Sequence, residues 1–175
     1  MSSKPCWFVG SCFGGKNDQT QRFLAEGIWE VNNPTNNEIA HVKSMNVGDR
    51  IAIKATYIRK NGLPFDNRGE VVSVMGIKAT GTIIGNPGTG LTVNVKWSQQ
   101  SEIREWYFYT YQRTIWRVLP GEWAADGLIE FAFDGKPQDI DRFRNSPFWK
   151  ERFGDTPTGK HRFQWTQFYE AIATK

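Results

Sequence analysis

The hydrophobic positions of this chain recur mainly every second residue. Ile51 and Ile53 alternate with Arg50 and Lys54 in a stretch that runs on to Tyr57, and LTVNVKW at 91–97 alternates in the same way. β-Branched runs fill 71–77 and 79–84, while CWFVG at 6–10 is a short apolar run closed by glycine. Successive side chains of a strand point to opposite faces, so each of these stretches predicts a strand. In EWYFYTY at 105–111, Trp106, Phe108 and Thr110 fall on one face and Tyr107, Tyr109 and Tyr111 on the other. Aromatics suit a pleated, half-buried surface, and this stretch is expected to be the central strand. About six strands within the first 120 residues, with turns at Gly48-Asp49 and 85–90, predict an α+β fold: a compact, curled β-barrel with peripheral helices.

Helical patterns are fewer. One spans about 18–26, with Asn17 or Asp18 as its cap and Phe23 and Leu24 on its buried face. Asn32, Asn33, Pro34, Asn36 and Asn37 then read as a loop. After Pro120-Gly121 the character changes: 128–133 reads as one more strand, Ser146-Pro147 opens a helix over FWKERF, and Thr166 caps another over QFYEAIATK. Residues 1–120 are therefore expected to form the barrel. Residues 121–175 are expected to be a largely helical extension that packs on it and leads towards a missing downstream domain.

Composition sharpens this picture in two ways. Eight Trp and twelve Phe among 175 residues imply a large core, a stacking surface, or both. The net charge of +4 is unevenly spread: residues 1–120 hold 14 Lys and Arg against 9 Asp and Glu, whereas 121–175 hold 8 against 9. A basic, aromatic-rich unit is compatible with binding nucleic acid. Two cysteines make no disulfide framework, and no apolar run approaches the roughly 20 residues that span a bilayer, so a cytoplasmic protein without a membrane role is expected.

Catalytic motifs fare poorly. GSCFGGK at 10–16 fits the spacing of a phosphate loop, but Asn17 stands where Ser or Thr would hold magnesium, and the later strands lack intervening helices. Asp126, Glu130, Asp134 and Lys136 offer only a loose version of a nuclease centre. His41 and His161 are isolated, and Cys6 and Cys12 lack partners at metal-site spacing, so neither a catalytic group nor a metal or other cofactor is expected. What remains is a binding set. Trp29, Phe65, Trp106 and Tyr109 could sandwich a base, Asp66 could accept from a base amino group, and Lys16, Arg59, Lys60, Arg68 and Arg113 could contact phosphates.

Taken in order, CWFVGS, DQTQRFLAEGIWE, VKSMNVGDRIAIKA, LPFDNRGEVVSVMGIKATGTI and REWYFYTYQRTIWRV resemble the N-terminal specificity domain that precedes the AAA+ motor of McrB-like restriction ATPases. FQWTQFYEAIATK is similar to the segment that leads into such motors. The resemblance spans nearly the whole chain. It implies an EVE- or YTH-like fold of the PUA superfamily that holds a flipped, modified base in an aromatic cage. By position, Gly10 to Cys12, with Ser11 between them, match base-contacting residues, and Trp29 matches a cage aromatic. Phe65 and Asp66 are carried over from the long loop that the pattern predicts over 59–69, and Asn32 is placed with them in the pocket. Ser11-Cys12-Phe13 stands where typical EVE domains carry a SEP-like signature. The implied partners are double-stranded DNA carrying a modified base, a downstream AAA+ motor and, through it, a McrC-like nuclease subunit, in a restriction system that defends against phage. An RNA-binding PUA-like module and a protein-interaction domain are the alternatives.

Overall fold

A computed structural model describes residues 3–98 and 102–155. It is an α+β fold whose sheet is strongly curled into a half-barrel, with helices on both sides. Next to the terminal strand, β1 (Cys6–Val9) lies parallel to β5 (Arg50–Arg59) on one edge and antiparallel to β9 (Ile115–Val118), which ends the order, on the other. β5 pairs antiparallel with β6 (Val72–Gly85), a single strand of 14 residues where the sequence pattern shows two runs. One half of the far edge of β6 carries β7 (Thr92–Trp97), and the other half carries β8 (Arg104–Tyr107). β4 (Ile28–Glu30) closes the order beyond β7.

Both faces of the sheet are covered. Trp7, Val9, Ile51 and Ile53 face a core shared with Phe23 of α1 (Thr20–Glu26) and Val42 of α2 (Asn36–Ser44). Cys6, Phe8 and Ala52 face a second core, shared with α3 (Trp123–Asp134), α4 (Ile140–Arg144) and α5 (Lys150–Phe153). All four residues of β1 are buried for this reason.

Several expectations change. Residues 128–133 are helical, not a strand: Ala125, Leu128, Ile129 and Ala132 recur at helical spacing and bury one face of α3. The loop expected over the asparagines gives way to α2 after Thr35, whose hydroxyl accepts the Glu38 N–H at 3.2 Å. Asn17 and Asp18 form β3, paired with β2 (Cys12–Phe13), and α1 begins at Thr20. The aromatic stretch expected as a central strand is instead split. β8 ends where Phe108 takes φ 73°, residues 108–114 form a connection, and β9 resumes at Ile115. The helix expected from Thr166 lies outside the described residues.

β8 is finished by a side chain. Gln138 accepts the Tyr107 N–H at 2.8 Å and donates to the Tyr107 C=O at 2.7 Å, so its amide stands in for a peptide group of a neighbouring strand. Gln138→Leu leaves both groups without that partner and is expected to cost about 1–3 kcal/mol. Urea unfolding checks this, and an unchanged midpoint would show that water replaces the amide without loss.

Candidate nucleic-acid interface

Strand direction determines which loops meet. β1, β5 and β8 end at the same pole of the sheet, and β6 and β9 begin there, because β1 and β5 are parallel while β6 and β9 run against them. Three connections therefore leave the sheet at that pole: residues 10–19, 60–71 and 108–114. The first carries Ser11, Cys12 and Lys16, the second Lys60, Phe65, Asp66 and Arg68, and the third Tyr109 and Arg113; Arg59 ends β5, six residues beyond Ile53, where β1 stops pairing. Lys16, Lys60, Arg68 and Arg113 are exposed. Asn32 follows the end of β4 at the opposite pole, near the 86–91 turn to which Val31 is bonded, so the fold does not place it with the others.

The first connection is built on a polar knot. Asp18 Oδ1 accepts from the Ser11 hydroxyl at 3.0 Å, the Thr20 N–H at 3.0 Å and the Thr20 hydroxyl at 2.5 Å, while Oδ2 accepts from Lys78 Nζ at 3.0 Å. Partial burial alone would raise the Asp18 pKa. The bonds from Thr20, Lys78 and Ser11 outweigh it and hold the carboxyl well below the usual carboxylate range. Asp18 is thus a fixed acceptor whose lone pairs are engaged, unsuited to moving a proton. It holds Ser11, itself buried, and shapes the hairpin that presents Cys12 and Lys16. Gly14 and Gly15, at φ 59° and 72°, turn that hairpin. The glycine-rich segment is therefore a β-hairpin and does not open a helix.

The four aromatics expected in a pocket divide by burial. Trp29 is 0% exposed and donates Nε1–H to the Gly10 C=O at 2.8 Å. Trp106 is also 0% exposed, donates to the Tyr109 C=O at 2.8 Å, and packs on Phe131 and Phe143. As placed, neither offers a ring face to a ligand. Phe65 and Tyr109 are half-buried: Phe65 packs edge-on to Tyr107 and tilted on Phe108, and Tyr109 packs on Trp116. Burial, with Glu122 nearby, pushes the Tyr109 hydroxyl up to about 12.

The second connection starts from a charged anchor. Glu105 accepts from Arg59 at 2.6 Å and from the Tyr57 hydroxyl at 2.7 Å. Burial and that hydrogen bond push Tyr57 up to about 12. Arg59 is accordingly half-buried and committed to Glu105, unlike its four exposed companions. Asp66 is exposed and accepts the Arg68 N–H at 2.9 Å, an Asx turn that lets Arg68 adopt φ 53°. Beside this anchor, Pro64, Tyr107, Phe131, Pro137, Gln138 and Ile140 line most of an open cleft of about 380 Å³.

The sequence pattern also passed over residues of these connections. Phe13 and Tyr111 add half-buried rings to the first and third connections. Lys54 lies beneath the third, 4% exposed, and donates to the Tyr111 C=O at 2.6 Å and the Arg113 C=O at 2.8 Å. Burial pushes its pKa down to about 7. The alternation of β5 assigned Lys54 to a solvent face, and nothing in that period signals a sheet covered on both sides. Neither the known family models nor the curated proteins include a match to this chain. Among the described residues no helix is long and apolar enough to cross a membrane.

Proposed function

We propose that this chain is a non-enzymatic reader of DNA that selects a modified base, flipping it from the duplex into the pole of the half-barrel. The observation that carries this reading is that three connections leave the sheet towards one pole, bearing four exposed cations and, on the side of α3 to α5, the half-buried rings of Phe65, Tyr109 and Tyr111. The cations suit phosphates, and the rings suit a base. Extracting a base costs a few kcal/mol, which stacking at about 1–3 kcal/mol per base can offset. Saturated polar groups such as Asp18 hold the first connection in shape, and ring spacing would sense an added methyl or hydroxymethyl. The ordered blocks that resemble the specificity domain of McrB-like ATPases support the same reading. On it, the module acts in the cytoplasm and gives target choice to an AAA+ motor and a McrC-like nuclease.

Binding to matched duplexes with and without cytosine or adenine modifications tests the proposal. A clear preference for one modified duplex is expected, and equal affinity for all of them would overturn it. Replacing Lys16, Lys60, Arg68 and Arg113 by alanine is expected to weaken binding to every duplex alike. Each lost phosphate contact should flatten the slope of log K against log salt by about 0.9. An unchanged slope in the fourfold variant would place the phosphates elsewhere. Tighter binding to structured RNA than to any duplex would favour an RNA-binding module instead.

A further inference from the structure

Side chains of the sheet hold the third connection from beneath. Besides the two bonds from Lys54, the Thr56 hydroxyl donates to the Tyr111 C=O at 3.2 Å, Ser73 meets Thr110 through their hydroxyls, and the Gly10 N–H donates to the Thr114 C=O at 2.8 Å. Lys54 is the charged member of this set. It sits where the β5–β6 register shifts between Ile53 and Lys54, with Lys78 as the extra residue of the bulge, a device that re-aims side chains. A hydrocarbon side chain would fill the same space without desolvating an ammonium. What the amino group adds, with two N–H donors even when neutral, is the capture of two carbonyls, two residues apart, in a segment that belongs to no strand.

We propose that Lys54 is a positioning residue that sets the 108–114 connection, and Arg113 with it, for contact with a nucleic-acid ligand. The ligand half of this inference rests on the reading above; the loop-setting half stands on the geometry alone.

Protons make the role measurable. On the elements packed against Lys54, the charged and titratable groups are Lys78 on β6, tied to Asp18, and Tyr109, Tyr111 and Arg113 on the connection. His41 is on α2, edge-on to Trp7 in the other core. An opened connection would return Lys54 to water and to its ordinary affinity for a proton, so opening takes up a proton that the closed form releases. Raising the pH from 6 to 9 therefore favours the closed form.

Amide hydrogen exchange, corrected for intrinsic rates, is the test. In the unaltered protein, protection of 108–114 is expected to rise at least tenfold across that range, at a level below that of β1 and β7, which report the global unfolding that also becomes harder as pH climbs. Lys54→Met is expected to raise exchange in 108–114 selectively and to abolish its pH dependence. Lys54→Arg, which keeps a donor fork, should retain part of the protection. Flat protection across the pH range in the unaltered protein would overturn the proposal without recourse to any variant, and so would exchange in Lys54→Met that rises equally in every strand. With a short duplex carrying 5-methylcytosine as probe, Lys54→Met should bind at least fivefold more weakly; equal affinity would overturn the ligand half. Failure of the unaltered protein to bind any modified duplex in the panel would defeat the DNA reading, and the exchange data alone would then decide the role of Lys54.

Discussion

Trp29→Ala is expected to destabilise the fold by about 3–5 kcal/mol, the usual cost of emptying a large buried aromatic site. The indole is fully enclosed in the core that also holds Phe23, Val93 and Val95, and its N–H is the partner of the Gly10 carbonyl at the end of β1. The substitution therefore opens a cavity and strips a hydrogen bond beside the candidate interface at once. Urea or thermal unfolding reads the effect, and a loss below about 1 kcal/mol would mean that the ring is not held as described. The size of this effect governs how binding experiments must be designed. Lost DNA affinity in Trp29→Ala would report a damaged core as readily as a missing cage wall. Phe65→Ala is the cleaner probe of stacking, because that ring is only half-buried and sits in a surface connection.

The second large effect is a rise of stability with pH. Lys54 binds its proton near pH 7 in the fold and near 10.5 when unfolded, so between these values the unfolded chain holds more protons and is disfavoured as pH climbs. Below about pH 7 the lysine is charged in both states and the penalty for burying it is fully present. The gain up to pH 10 is expected to be on the order of a few kcal/mol, reduced by whatever the two carbonyls return to the charged form. Cys6 works against it, since burial raises its pKa and the unfolded thiol loses its proton first. Comparing unfolding curves of the protein and Lys54→Met across this range isolates the lysine. A slope that survives in the variant would assign the effect to another group.

Much of the sheet could be read from alternation alone. β5, β6 and β7 lie where Ile51 and Ile53, the 71–84 runs and LTVNVKW place them, and the 85–90 turn joins the last two. Segments with another physical origin were less legible. LIEFAF in α3 is a near-continuous apolar run, which periodicity does not separate from a strand; the helix appears only when the pattern is extended back to Ala125 and on to the αL residue Gly135 at its C-terminal end. α2 did have a signal, Thr35 three residues before Glu38, hidden among turn-forming asparagines.

The exposure of the candidate cations was legible in the sequence, and the burial of the aromatics was not. Lys16, Lys60, Arg68 and Arg113 come from three separate connections, and the parallel pairing of β1 with β5 sends all three off in the same direction, a relation that no local pattern encodes. Trp29 and Trp106 could not be told from cage walls by sequence, because burial depends on what packs over them. Lys54 was misplaced for the same reason, since a strand between two cores has no solvent face.

The bulge at Lys78 has a wider consequence, which concerns phase. On β6, Ala79 and Ile83 face the core of α1 and α2, whereas Met75 and Ile77, of the same odd parity, face the core of α3 to α5. One extra residue between them reverses the count and so connects two interiors along one strand. Deleting Lys78 would turn Met75 and Ile77 towards the wrong interior, emptying one and crowding the other. The chain can thus drift in length across 60–71, where each doubling of a loop costs only about 0.6 kcal/mol, while at this one position its length is fixed by arithmetic.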